Sequence, residues 1–417
     1  MRVLLSAYAC EPGKGSEPGV GWHWATELAC LGHEVFVITR SNNRASIEKT
    51  LESGSIPGLH FHYYDLPTWG RWWKRGPRGV QLYYWLWQLG AYRQARGLIR
   101  KIQFNLVHHL TLGMFRQPSF MGRLGLPFVV GPIGGGETIP MLLRVGLPTT
   151  CAFGEMLRET SIRLTCCKPF VLKMFKQATV ILCKTRETLA FVPAACREKS
   201  CVHLEVGLEP VRMKREVMAK VASAEFLYAG RLVYWKGPHL ALKALAELKR
   251  DRPSATLTLI GAGPDEARLK KLSARLGLQD SVRWLGWISQ EEMWTHYCRY
   301  TALVFPSMHD SSGNVVLEAM SQSLPVICLD TGGPGAMIPS SCGMKVPVEN
   351  RREAEVVGDL SAFMRTLADN PELRSQIGCR ALDVAQTRTW RDIVSSAYAC
   401  IEGALIASNK SVADRTH

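Results

Sequence analysis

Two cations lie one loop apart in the second half of the chain, in LYAGRLVYWKGPHLALKAL. Arg231 and Lys236 follow an apolar run and precede a helical pattern, with Gly230 and Gly237 beside them. Fixed positive charges in such a loop suit a diphosphate, because guanidinium and ammonium groups donate charge-assisted hydrogen bonds to phosphate oxygens. Further on, in VFPSMHDSSGNVVLEAM, seven residues separate Asp310 from Glu318. Between them, Gly313 and Asn314 stand where a loop should enter a helix, so exposed amides would face an anion. Glu318 falls about one turn into that helix, where its carboxylate can accept hydrogen bonds from a ribose diol. The backbone at Trp287–Ile288, after the run ending in WLGW, offers an edge to a nucleobase.

The first half carries glycine-rich loops and a pair of histidines. EPGKGSEPGVGWHW sets Gly13, Gly15, Gly19 and Gly21 around a helix start, where the backbone can approach a ligand closely. The spacing is neither GxGxxG nor a P-loop, since three residues separate Gly15 from Gly19 and Lys14 is followed by Gly15. GPIGGGE puts Gly134, Gly135, Gly136 and Glu137 after another strand. Three successive glycines cost backbone entropy, which points to a backbone-lined binding loop. VHHLT ends a strand with His108 and His109. Neighbours on a strand point to opposite faces, so one ring can reach a cleft while the other packs in the sheet. The residues leave open which does which.

Positioning these groups requires strands that end in loops. Short apolar runs at Arg2–Ala7, Glu34–Arg40, Asn105–Leu110, Pro127–Gly131 and Thr179–Lys184 alternate with helical patterns. A second series follows at Ala224–Ala229, Thr256–Gly261, Ser281–Gly286, Ala302–Pro306 and Pro325–Asp330. Runs such as PFVV and TVIL are apolar throughout, as in parallel strands buried on both faces. The expectation is two doubly wound α/β domains with the site in the cleft between their sheets, at the carboxyl ends of the strands. The expected domains are residues 1–205 and 206–388, with a polar stretch at Val206–Ser223 marking the boundary. A helical segment from Thr389 should follow, ending in a frayed SNKSVADRTH tail.

Composition bounds the function. With 417 residues the chain is long enough for two domains of roughly 200 residues each. Hydrophobic residues at 47% and charged residues at 21% exclude a disordered chain. No run approaches the roughly 18 apolar residues of a membrane span, and MRVLLSAYAC reads as a strand rather than a signal peptide. The expected location is the cytoplasm. Thirteen cysteines without a CxxC pair suggest buried thiols, neither a disulfide framework nor a zinc site.

Taken together, these residues resemble the family 4 retaining nucleotide-sugar glycosyltransferases of the GT-B fold (glycosyl transferases group 1). The likeness runs along essentially the whole chain and is strongest from Ala229 to Gly333. It implies two Rossmann-like doubly wound parallel-sheet domains facing a cleft. The amino-terminal domain would bind the acceptor and the carboxy-terminal domain the nucleotide sugar, with the last helix, 389–417, crossing back. By the same resemblance Arg231 and Lys236 clamp the donor diphosphate, and Asp310 and Glu318 occupy the family's E-x7-E positions. Asp310 stands where Glu is usual. Backbone amides of Ser312, Gly313, Asn314 and Val315 would contact sugar and phosphate. Gly15 and Gly19 would approach the phosphates on closure. The family's histidine near the sugar matches His109 or His108. Gly134, Gly135, Gly136 and Glu137 fall to the acceptor. Neither a metal nor a cofactor beyond the nucleotide sugar is implied.

The reaction implied moves a sugar to an acceptor hydroxyl, in polysaccharide or lipid-linked glycan assembly, without an enzymic nucleophile. Rival readings are an epimerase or hydrolase of the same fold and a catalytically silent nucleotide-sugar binder, the latter suggested by Asp310. One further feature concerns partners. Residues 66–136 contain no Asp or Glu but many cations, from Arg71 to Arg123, and also hold Trp69, Trp72, Trp73, Tyr83, Tyr84, Trp85 and Trp87. Such a stretch is expected to dock on an anionic membrane surface. No recognition motif for nucleic acid accompanies it.

Overall fold

The computed structural model describes residues 1–70, 73, 79–165, 167–210 and 224–413, excluding the side chains of 408–413. Residues 211–223 of the expected boundary stretch and 414–417 of the tail lie outside the described residues. So do Arg71, Trp72, Lys74, Arg75 and Arg78 of the basic stretch. The chain forms two compact units. The first comprises Met1–Gly136, Thr160–Val206 and Trp390–His417; the second comprises Glu137–Glu159 and Gly207–Thr389. Glu137–Glu159 therefore folds with the second unit although it lies within residues 1–205, and the chain re-enters the first unit at Thr160.

The first unit is built on a seven-stranded parallel sheet. Its strands are β1 (Arg2–Ala7), β2 (Glu34–Arg40), β3 (Leu59–Tyr64), β4 (Leu106–Thr111), β5 (Phe128–Ile133), β6 (Val180–Cys183) and β7 (Ser200–Val202). Their order is β3-β2-β1-β4-β5-β6-β7. Alternate side chains feed two cores. Val3, Leu5 and Ala7 join one with Trp24, Leu28, Val394 and Ile401. Leu4 and Tyr8 join the other with Tyr83, Tyr84, Trp87 and Phe175. Helices cover both faces, so these strands must be apolar throughout.

The second unit repeats the plan with six parallel strands. They are β8 (Glu225–Ala229), β9 (Thr256–Ile260), β10 (Val282–Gly286), β11 (Ala302–Phe305), β12 (Val326–Leu329) and β13 (Met344–Val346). The order is β10-β9-β8-β11-β12-β13. In each sheet the order reverses once, between β1 and β4 and between β8 and β11. A ligand crevice forms at such reversals, outside the carboxyl ends of the strands. The two Rossmann-like parallel sheets are those expected from the apolar runs.

Three strands carried no sequence signal: β3, β7 and β13. All three lie at sheet edges. β3 reads LHFHYY and is mostly half-buried, while β7 and β13 have three residues each. An edge strand has a neighbour on one side only, so its composition need not be continuously apolar. At the chain end the helix over Trp390–Ala413 continues into the tail expected to fray.

Candidate functional site

In the second unit the loops after β8 and β11 lie on either side of the reversal. The first contains Arg231, a one-turn helix over Tyr234–Lys236, and Gly237. Gly237 has φ +70°, and a Cβ there would fall 1.9 Å from the Pro306 carbonyl oxygen, so only glycine lets the two loops cross so closely. The second loop runs from Pro306 to Gly313, which caps the helix over Asn314–Ser321 in a left-handed conformation. A Cβ on Gly313 would come 2.9 Å from Pro334 Cγ.

The loops bring the sequence candidates together. The Lys236 ammonium forms an ion pair with Asp310 Oδ2 and lies 5.4 Å from the Phe305 ring centroid. Arg231 is exposed at the same strand ends. Ser312, Asn314 and Val315 are half-buried around the helix start, where amides leave the first turn unpartnered by the helix itself. Glu318 sits in the next turn, and its Oε2 accepts a hydrogen bond from the Tyr297 hydroxyl at 2.7 Å. Burial raises the Glu318 carboxyl above its ordinary value, and hydrogen bonds from Tyr297 and Gln290 offset part of that rise. Trp287 follows β10 with its side chain largely exposed, and Ile288 is half-buried.

Several neighbours of this cluster had no sequence signal. Trp235 stacks on His309 with ring centroids 5.6 Å apart and planes 8° from parallel. The Met308 N–H donates to the Trp235 carbonyl at 2.8 Å. Glu155, from the helix over Thr149–Thr165, is almost fully buried against Tyr234 and His309. His309 was not singled out in the sequence, although it adjoins Asp310. Glu155 lies too far away in sequence for any spacing rule to find it.

In the first unit the histidines separate as strand alternation requires, but both are buried. His108 has both ring nitrogens engaged, with Tyr398 Oη at 3.1 Å and the Gly131 carbonyl at 2.7 Å. His109 lies on the other face, its Nε2 3.2 Å from Tyr84 Oη, while its Nδ1 has no hydrogen-bond partner. Burial pushes His108 down to about 4 and His109 down to about 3, so both rings are neutral at pH 7.

The glycine loops are close-packed in part, though a Cβ on Gly15 would meet nothing within 4 Å. Gly15 precedes the helix over Ser16–Cys30, and a Cβ on Gly19 would lie 2.2 Å from the Lys14 carbonyl oxygen. The Gly134 N–H donates to the Gly113 carbonyl at 2.7 Å and the Gly136 N–H to Thr188 Oγ1 at 3.1 Å. The amides of Gly134 and Gly136 are thus engaged inside the unit; Gly135 adopts φ +98°. Glu137 departs from its glycine neighbours. It belongs to the second unit, where its Oε2 accepts from Ser311 Oγ at 2.7 Å.

A buried ion triad that went unnoticed in the sequence lies beside the glycine loop. Lys184, just past β6, pairs with Glu205 at 2.5 Å and Glu17 at 3.4 Å. Burial alone would lower the Lys184 amine, but the two carboxylates outweigh it and hold it above its ordinary value.

Within the basic stretch, Tyr83, Tyr84 and Trp87 are core residues, contrary to a reading of them as surface anchors. They form the inner face of the helix over Val80–Ile99. Its outer face carries Leu82, 56% exposed, and half-buried Trp85. Trp85, Phe120 and Phe170 pack edge-to-face with centroids about 6 Å apart, and Arg123 lies 4.9 Å over Phe120. No helix among the described residues is long and apolar enough to cross a membrane. No three His, Cys, Asp or Glu side chains among them converge as metal ligands.

Residues 213–379 match the family described as glycosyl transferases group 1. The glycogen synthase of Mycobacterium tuberculosis is 32% identical over 153 residues, covering 36% of this chain and 36% of that protein. The D-inositol 3-phosphate glycosyltransferase of Streptomyces coelicolor is 32% identical over 178 residues, covering 39% of this chain and 37% of that protein. The chain thus spans little more than a third of the length of these curated relatives. Among solved structures, Anabaena HepE in complex with UDP superposes with a TM-score of 0.63 at 16% identity, over 97% of this chain and 100% of that one. That likeness is one of fold.

Proposed function

We propose that this chain, whose residues 213–379 match glycosyl transferases group 1 and which has the GT-B fold, is a retaining glycosyltransferase of that family. It moves a sugar from a nucleoside-diphosphate sugar to an acceptor hydroxyl in polysaccharide or lipid-linked glycan assembly. One observation carries this reading. Arg231, Lys236, Asp310 and the start of the helix over Asn314–Ser321 converge at the carboxyl ends of β8 and β11, where the strand order reverses.

The chemistry follows from those groups. As the anomeric C–O bond to the diphosphate breaks, negative charge grows on the phosphate oxygens. Arg231, Lys236 and the amides of Ser312, Gly313, Asn314 and Val315 stabilise that charge without reorganising. A departing phosphate oxygen takes the proton of the acceptor hydroxyl, which attacks from the same face, so configuration is retained. Glu318 accepts the ribose hydroxyls, the Trp287–Ile288 backbone meets the base, and Asp310 stands at the donor sugar. In the first unit, His109 serves the donor sugar, the loop bearing Gly15 and Gly19 serves the phosphates, and the loop bearing Gly134–Gly136 serves the acceptor.

We place the protein at the cytoplasmic face of a membrane. Its docking patch is the outer face of the helix over Val80–Ile99 together with Phe170 and Arg123. Residues 66–136 and 160–186 contain no acidic side chain, so this surface complements anionic headgroups, and Trp85 and Phe170 supply interfacial aromatics.

The test is a screen of nucleoside diphosphates for thermal stabilisation, since a ligand that binds only the folded state raises the midpoint. It is followed by product analysis with the matching sugar donor. Transfer with retained anomeric configuration, read by NMR, supports the reading. Release of free or epimerised sugar in the presence of acceptor counts against it.

A further inference from the structure

Glu137–Glu159 carries two almost fully buried carboxylates, Glu137 and Glu155, into the second unit. A buried carboxylate is costly unless hydrogen bonds replace its water. Glu155 has them. Its Oε1 accepts from the Tyr234 hydroxyl at 2.9 Å and from His309 Nε2 at 3.3 Å, and its Oε2 accepts from Arg158 Nε at 3.0 Å. Tyr234 stands two residues before Lys236, and His309 one residue before Asp310. One carboxylate therefore holds both loops whose ends carry the Lys236–Asp310 ion pair. Glu137 holds the next residue, accepting from Ser311 Oγ, while its carbonyl accepts from Arg158 at 2.6 Å.

Attachment of the segment does not require this arrangement. Ile139, Leu143 and Leu147 already pack in the second unit's core. A buried charge is, moreover, no better an adhesive than apolar residues of similar volume. What the carboxylate adds is direction: two donors from different loops must converge on one oxygen.

We propose that Glu155 is a positioning residue for the donor site, setting the spacing between the Tyr234–Lys236 turn and the His309–Ser312 loop. Lys236 and Asp310 are thereby presented in register to a nucleoside diphosphate sugar. The proposal rests on the reading of that site given above.

The test titrates UDP calorimetrically into the full chain and into Glu155→Ala, Glu155→Gln and Tyr234→Phe, with Lys236→Ala as reference. Unliganded melting midpoints are measured alongside. Glu155→Ala should weaken UDP binding about tenfold or more, and Tyr234→Phe should weaken it measurably without lowering the midpoint. Glu155→Gln, which keeps an acceptor oxygen for Tyr234 and His309, should recover most of the affinity. Parent-like UDP affinity in Glu155→Ala, with binding lost in Lys236→Ala, overturns the positioning role and leaves the donor site standing. Glu155→Gln binding as weakly as Glu155→Ala also overturns it. If Glu155→Ala fails to fold, parent-like affinity in Tyr234→Phe has the same force. A parent chain that binds neither UDP nor any other nucleoside diphosphate removes the donor site and this proposal with it.

Discussion

Lys236 and Asp310 neutralise one another across two loops, so a diphosphate must compete with a carboxylate for the ammonium, whereas Arg231 is exposed at the same strand ends. Arg231→Ala and Lys236→Ala should each cost about 10²–10³ in turnover, the usual loss for one electrostatic donor at a developing anion. Far-UV circular dichroism should stay unchanged. Near-normal turnover in both variants would remove the clamp. The Glu155 carboxyl makes a second prediction. Burial alone would raise it, but His309, Arg158 and Tyr234 outweigh burial and bring it to about 2. The folded state therefore favours the ionised form. Its contribution is complete above the unfolded carboxyl value of about 4.3 and is lost as pH falls toward 2. The stability gap between the parent and Glu155→Gln, measured by urea unfolding, should be flat from pH 6 to 8 and shrink below pH ~4. A gap that widens on acidification would contradict the assigned shift.

At the scale of elements, the helix over Trp390–Ala413 shows how a late segment completes an early domain. Trp390, Ile393, Val394, Ala397, Tyr398 and Ile401 recur at three- and four-residue intervals and are buried in the first unit. The Trp390 ring stacks on His23 at 4.4 Å, and Tyr398 meets His108 of β4. Ile401→Ala should cost about 2–5 kcal/mol, the range for truncating a fully buried aliphatic side chain. It should appear as an earlier urea transition of the first unit. Ending the chain after Thr389 uncovers that whole stripe, and the expected result is insoluble protein. A truncated chain that stayed soluble with an unchanged first-unit transition would show that the helix is dispensable.

Across the whole molecule, a formal charge of +15 is concentrated by the two acid-free stretches of the first unit. Electrostatic attraction to an anionic bilayer is screened over about 8–10 Å at physiological salt. Sedimentation with anionic vesicles should therefore fall as salt rises and be absent with zwitterionic vesicles. Replacing Trp85 and Phe170 together by Ala should weaken what remains at high salt, because interfacial aromatics act by burial rather than by charge. Binding indifferent to lipid charge would refute the patch. The same stretch marks a limit of composition: Trp69 is exposed while Tyr83, Tyr84 and Trp87 are core, and helical periodicity sorts them only once a sheet covers one face.

The chain by itself determined the parallel sheets, because strands buried on both faces must be apolar throughout, and nine of the ten expected runs fall in interior strands. It also determined which loops carry Arg231, Lys236, Asp310 and Glu318, since glycine, charge and helix start occur together within a few residues of a strand end. Three of the four edge strands, β3, β7 and β13, escaped because half their surroundings place no demand on composition. Only the tertiary structure decided that Glu137–Glu159 leaves its neighbours for the second unit, that His108 and His109 are both buried, and that Glu155 ties Tyr234 to His309. Those contacts join residues tens of positions apart. Local sequence encodes periodicity and turn chemistry, but not which distant carboxylate a folded loop will meet.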